Sequence, residues 1–165
     1  MSELYLIALG SNVRVPGLGL PRVVLEAAFE ALDSGPARLI ASSSTIETAP
    51  IGPSLRRYAN AAAVIETPLR PPSLLAHLKR IEDAFGRGRA QRRGARWRAR
   101  SLDLDIILWS GGVWHSPELA IPHRLFRERD FVVRPAKEIA PHWRDEISAL
   151  SLAQLAARLN RARAG

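Results

Sequence analysis

Short apolar runs alternate with breaker-rich stretches along this chain, and the runs carry two different periods. Residues 3–10 (ELYLIALG) are dense in apolar and aromatic side chains and stop at Gly10-Ser11-Asn12, which predicts a first strand. Pro16, Gly17, Gly19 and Pro21 mark a loop. From Arg22 to Leu32 the residues Val23, Ala27, Phe29 and Leu32 recur at helical spacing, with a stop near Gly35-Pro36. Residues 37–48 are β-branched and Ser/Thr-rich and predict one second strand, broken by the Pro/Gly cluster at 49–53. Tyr58 to Thr67 predicts a third strand. Pro71-Pro72-Ser73 opens a second helix in which Leu74, Leu75, Leu78, Ile81, Glu82 and Phe85 keep a 3.6-residue period until Gly86. A fourth strand follows at Leu102–Trp109, ending in the turn Gly111-Gly112. Asp130–Ile139 and Leu152–Leu159 predict two further helices, the last capped by Ser151.

That order, β-α-β-β-α-β with extra C-terminal helices, predicts an α+β fold of the ferredoxin-like kind. No repeat, low-complexity tract or linker divides the sequence, so residues 1–165 are expected to form one domain. Its length allows roughly 70% of the unfolded surface to be buried in a single core.

Charge then singles out one segment. Lys and Arg number 24 against 16 Asp and Glu, a formal +8. Residues 87–100 hold seven arginines and no acid, so the rest of the chain is nearly neutral at 8 − 7 = +1. Basicity this local favours a site over a generally sticky surface. Arginine's planar fork suits phosphate oxygens. The segment lies between a predicted helix and strand and reads as a 14-residue loop without regular structure, which in a compact domain usually serves a function.

The strand after this loop carries Asp103 and Asp105. Alternation sends both to one face and Leu104 to the other. The strand is expected at the centre of the sheet, since Leu102, Leu104 and Ile106–Leu108 read as buried. Two acids in so apolar a strand need compensation, which a cation supplies. Magnesium takes one or two carboxylates and fills its remaining positions with water and phosphate oxygens. The bland alternative is two surface acids paired with nearby arginines. No G-x-x-x-x-G-K-[ST] run is present, so a P-loop is excluded and side chains would have to hold phosphate. Downstream, His123, Arg124, Arg127 and Arg129 form a second basic cluster in which a neutral imidazole could donate to phosphate. Tyr58, Trp97 and Phe131 are core aromatics or the walls of a slot for a flat heterocycle. Asn60, on the same strand face as Tyr58, could read such a ring through its amide.

These residues resemble the 6-hydroxymethyl-7,8-dihydropterin pyrophosphokinase family of folate biosynthesis. The blocks that carry the resemblance are ALGSN (8–12), ETAPIGP (47–53), YANAA (58–62), RIEDAFGRGR (80–89), RWRARSLDLDIIL (96–108), IPHRLFRERDF (121–131) and EIAP (138–141). The resemblance implies an ATP- and magnesium-dependent diphosphotransferase that passes pyrophosphate from ATP to the hydroxymethyl oxygen of the pterin, releasing AMP. It implies two magnesium ions on Asp103 and Asp105, and a pterin site at Thr48, Pro50, Ile51, Tyr58, Asn60, Trp97 and Phe131. It implies that ATP meets Glu82, Arg89, Arg100, Ile106, His123 and Arg129, and that Arg87, Arg89, Arg96 and Arg100 act in catalysis with the two aspartates. The chain departs from the family pattern in a longer loop between Arg89 and Trp97, in Arg98-Ala99 where a Gly-Pro often stands, and at Lys79 and Arg124.

Three rival readings are a ferredoxin-like RNA-binding module, a transferase using the D-x-D differently, and a non-catalytic arginine-rich interaction domain. The first should show aromatics on a central strand where Asp103 and Asp105 stand, and carboxylates there would repel a nucleic-acid backbone. The second leaves the set Tyr58, Asn60 and Phe131 unexplained, and the third makes the aspartates dispensable. No nucleic-acid partner is expected. No apolar run approaches the ~20 residues needed to span a bilayer, the chain has no cysteine, and its first residues lack the pattern of a signal peptide. A cytoplasmic protein away from membranes is therefore expected; a monomer is a separate expectation that these features do not bear on.

Overall fold

The computed structural model describes residues 1–12, 20–48, 58–93 and 101–165, with the main chain only at 48 and 87–93. Its elements are β1 (Glu3–Ser11), α1 (Pro21–Leu32), β2 (Arg38–Ser42), β3 (Ile46–Thr48), β4 (Tyr58–Thr67), α2 (Pro71–Arg93), β5 (Asp103–Trp109), β6 (Trp114–Ser116), β7 (Leu119–Ile121), a 3-10 turn (Phe126–Glu128), α3 (Asp130–Ile139) and α4 (Leu152–Ala164). Strands run in the order β2-β4-β1-β5, with β3 also paired to β4, and every pairing is antiparallel. Strands β6 and β7 make a separate hairpin.

Helices cover both faces of the sheet. On one, Tyr5, Ile7, Leu9, Ala61, Ala63, Ile65, Leu104 and Ile106 pack against Val24, Leu25, Ala28 and Leu32 of α1 and Leu74, Leu78 and Ile81 of α2. On the other, Leu6, Ala8, Ala62, Val64, Ile107 and Leu108 meet Phe126, Val132, Val133 and Ala136, with Leu152, Leu155 and Ala156 of α4 behind them. A bulge in β5 joins the two sets. Leu6 pairs with Leu108 but Ile7 pairs with Ile106, so Ile107 is the extra residue and shares Leu108's face.

Several expectations need correction. The single strand over 37–48 is two, β2 and β3. Between them Ser43 turns into the ladder: its N–H donates to the Ala62 carbonyl (2.9 Å) and its Oγ accepts from the Ala62 N–H (2.8 Å). The strand with the two aspartates is not central; among the described residues β5 pairs in the sheet only with β1 and lies at its edge. Helix α2 does not stop at Gly86 but continues to Arg93, so the expected 14-residue loop is helical over 87–93, and residues 94–100 lie outside the described ones. Glycine weakens a helix interior without forbidding it. The buried stripe of α1 is Val24, Leu25, Ala28 and Leu32, whereas Val23 is exposed. The hairpin β6–β7 carried too little alternation to be read. Helix α4 runs five residues past Leu159, to Ala164, and Ser151 caps it in a box with Gln154.

Candidate active site

Cross-strand register assembles the site. Asp103 pairs with Gly10, Gly10 with Asn60 and Asn60 with Ile46; one row away, Asp105 pairs with Ala8 and Ala8 with Ala62. Directly opposed residues point to the same face. Asp103, Asp105, Asn60 and Tyr58 therefore share the face that α3 and α4 cover farther along, with the small residues Gly10, Ala8 and Ala62 as a floor between them. Strands stand about 4.8 Å apart, so roughly 10 Å of floor separates the Asp103 and Asn60 main chains. Both aspartates are exposed while Leu104 between them is buried. The alternation is as expected, but the argument that burial makes the acids costly fails, since they face outward.

Asn60 is only 8% exposed. A Cβ on Gly10 would lie 3.2 Å from its Oδ1, so Gly10 makes the room that Asn60's amide occupies. Tyr58 and Phe131 are each 39% exposed, unusual for large aromatics in a structure with two buried cores. Phe131 stands in the first turn of α3, a helix that packs over β4 and β3, and the Arg129 guanidinium lies 5.9 Å from its ring centroid.

His123 follows the cis Ile121–Pro122 bond and is tied to the edge strand: its N–H donates to the Ile107 carbonyl (3.0 Å). The Leu125 N–H donates to Nδ1 (3.1 Å), which leaves the proton of the neutral ring on Nε2. Burial holds the imidazole below its ordinary pKa; the Asp105 carboxylate opposes this, and the Arg129 and Arg127 charges reinforce it. His123 is thus a neutral donor set among Asp105, Arg129 and Arg127.

Other named residues have different surroundings. Glu82 accepts the Leu104 N–H (2.8 Å), clipping α2 to the outer side of β5. The Ile106 side chain is buried on the opposite face, so only its main chain lies at the sheet edge. Arg127, in the second basic cluster, pairs through Nε and Nη2 with Asp145, a fully buried carboxylate that also accepts from the Ile147 and Ser148 N–H groups and the Ser148 hydroxyl. Although burial pushes the Asp145 carboxyl up, the Arg127 and Ser148 hydrogen bonds outweigh it and hold it at about 2. Arg127 therefore secures the loop after α3. Thr48 is the last residue of β3 and Arg87 and Arg89 lie on α2, but their side chains, like Pro50, Ile51, Arg96, Trp97 and Arg100, lie outside the described residues. Gly10 was not singled out for the site, although a glycine closing an apolar strand is a signal of close approach.

Among the described residues no cluster of three or more His, Cys, Asp and Glu could cage a metal by itself. A pair of outward carboxylates suits instead a hard cation that completes its shell with water and phosphate oxygens. Asp103 and Asp105, over a floor without long side chains, fit magnesium on these grounds.

Comparison with known proteins points the same way. A sequence model of the 7,8-dihydro-6-hydroxymethylpterin-pyrophosphokinase (HPPK) family matches residues 6–141. The 2-amino-4-hydroxy-6-hydroxymethyldihydropteridine pyrophosphokinase of Haemophilus influenzae is 41% identical over 136 residues, covering 81% of this chain and 79% of that one. The Pseudomonas aeruginosa protein of the same name is 37% identical over 146 residues, covering 87% and 85%. The wild-type HPPK-DHPS of Plasmodium falciparum, solved with pteroate, superposes with a TM-score of 0.74 at 13% identity, over 96% of this chain and 44% of that longer one. That last likeness speaks for the fold alone. With a family match over most of its length and relatives this similar, the chain belongs to the 6-hydroxymethyl-7,8-dihydropterin pyrophosphokinases, the family that transfers pyrophosphate from ATP to the hydroxymethyl group of the pterin in folate biosynthesis.

Proposed function

We propose that the uncovered end of the α3 face is where this chain carries out that transfer. One observation carries the reading: three adjacent strands and the start of α3 present two outward carboxylates, a buried amide and two exposed aromatics on one face, beside a neutral histidine and Arg129. The pterin lies between Tyr58 and Phe131, with Asn60 and the segment holding Thr48, Pro50 and Ile51 reading its edge and Trp97 closing over it. Asp103 and Asp105 would hold the two magnesium ions. Bound magnesium supplies charge neutralisation on the phosphate oxygens and lowers the pKa of the hydroxyl.

Residues of the chain do the rest. His123 donates Nε2–H to a phosphate oxygen; Arg129, Arg100 and Arg89 neutralise charge as it shifts onto the leaving phosphate; Arg87 and Arg96 add to that field. Glu82 and the main chain at Ile106 border the nucleotide. The pterin hydroxymethyl oxygen bonds to the β-phosphorus, the bond from that phosphorus to the oxygen bridging it to the α-phosphate breaks, AMP leaves and the hydroxyl proton is released.

The strand order and all-antiparallel pairing support the ferredoxin-like reading of the α+β fold, and one sheet shared by both cores supports a single domain over 1–165. Among the described residues no helix is long and apolar enough to cross a membrane. We take the protein to act as a cytoplasmic monomer. The test is AMP formation from ATP and magnesium, with and without 6-hydroxymethyl-7,8-dihydropterin. Pterin-dependent AMP without ADP is expected. A folded protein that forms no AMP would overturn the reading.

A further inference from the structure

Asp130 stands between Arg129 and Phe131, and its surroundings do not match those of an ordinary first-turn acid. Arg129 is the N-cap residue of α3, with no side-chain cap bond. A cation there opposes the positive end of the helix dipole, and an arginine cannot accept the free N–H groups. Asp130 Oδ2 accepts from Arg163 Nη2 (2.5 Å) in the last turn of α4 and from Arg134 Nη1 (3.3 Å) one turn along α3. Its other oxygen, Oδ1, is buried and has no hydrogen-bond partner among the described residues. Stability alone would favour Ser, Thr, Asp or Asn at the cap, with the arginine elsewhere. The arrangement instead keeps Arg129 and Phe131 at the site and ties the residue between them to α4 through Arg163. At the other end of α3, Glu138 accepts from the Ser44 N–H (2.9 Å) and hydroxyl (2.7 Å), in the connection that leads into β3. Carboxylates therefore tie α3 down at both ends.

We propose that Asp130, held by Arg163, is a positioning residue that fixes the first turn of α3 and thereby the stacking face of Phe131 and the reach of Arg129. The C-terminal helix, which contributes no group to the pterin or phosphate site, acts on substrate affinity through this pair. The inference rests on the reading that Phe131 contacts the pterin. Phe131→Ala tests that reading by itself, because loss of the stacking ring should weaken pterin binding whatever Arg163 does.

The decisive experiment is steady-state kinetics of the full chain carrying Arg163→Met, Asp130→Asn, both together, and Arg163→Lys, with unfolding midpoints measured alongside. Each single variant should raise the KM for pterin about three- to five-fold, the scale of one well-ordered surface ion pair, with a smaller change in kcat. The double variant should be no worse than the worse single one, and Arg163→Lys should restore most of the affinity. Wild-type KM in both single variants, additive losses in the double, or no rescue by lysine would overturn the proposal. If Phe131→Ala leaves pterin affinity unchanged, the site reading itself fails. A weakened Phe131→Ala beside an unaffected Arg163→Met removes only the positioning role.

Discussion

Between the sheet and helices α1 and α2, the apolar side chains of β1 run from Tyr5 through Ile7 to Leu9 with no polar interruption, and Ala59 to Ile65 on β4 match them. On the opposite face the covering stops at the row of Ala8 and Ala62; that row ends in the outward Asp105, and past it the strands carry Asp103, Asn60 and Tyr58. The sealed face supplies cohesion, at roughly 25 cal/mol per Å² of apolar surface removed from water. It lets the other face leave side chains outward, where they add little to folding. The contrast is between two layers of one sheet, and it can be tested residue by residue.

The largest effect should come from the open end. Asp105→Ala is expected to lower turnover about 10³-fold, the scale of losing several kcal/mol of metal-derived charge stabilisation. Because the carboxylate is exposed, the unfolding midpoint should stay within the range of ordinary surface substitutions. Turnover close to wild type in saturating magnesium, or a large stability loss, would break the division of labour. Arg127→Ala sharpens it from within the second face, since Arg127 lies close to the site in sequence yet serves the fold. Removing it leaves Asp145 buried with no cationic partner among the described residues, at a cost of about 3–5 kcal/mol in chemical denaturation. Turnover per folded molecule should hold; a selective loss of turnover at unchanged stability would move Arg127 into the site.

The smallest effect concerns pH. The folded-state pKa of His123 lies below its ordinary value, so between the two values the unfolded chain binds more protons. Stability should fall as pH drops below about 6.5, the unfolded histidine value, and level off beneath the folded one. His77 shifts in the same direction, through burial and the Arg80 charge, and adds to the slope. His123→Gln should flatten part of this dependence in unfolding midpoints measured from pH 7.5 to 5. An unchanged profile would mean that the imidazole is as solvated as in the unfolded chain.

The sequence was most readable where local rules and tertiary packing agree. Strand β4 and helix α3 begin and end at the bounds read for them, Tyr58–Thr67 and Asp130–Ile139, and Ser151 caps α4 as its residue type predicts. Alternation also sufficed to put Asp103 and Asp105 on one face. It failed wherever a distant partner decides. Ser43 splits a strand because Ala62 is across from it, and Gly86 does not stop α2. No local pattern shows that Arg127 belongs to Asp145 or Arg163 to Asp130, 18 and 33 residues away. Nor does periodicity order the strands, and so the edge position of β5 could not be read from its apolar residues.

The bulge at Ile107 sets the phase of this machinery. One supernumerary residue lets β5 present Trp109 to the α1–α2 layer while both aspartates face the other way. Deleting it would shift the strand by half a pleat, trading either the aspartates into the sealed layer or Trp109 out of it. The segment from Asp103 to Trp109 thus has a fixed count as well as a fixed composition. Length variation among descendants of this chain should accumulate in the connections and spare this strand, and a single-residue deletion here should be as damaging as loss of the carboxylates themselves.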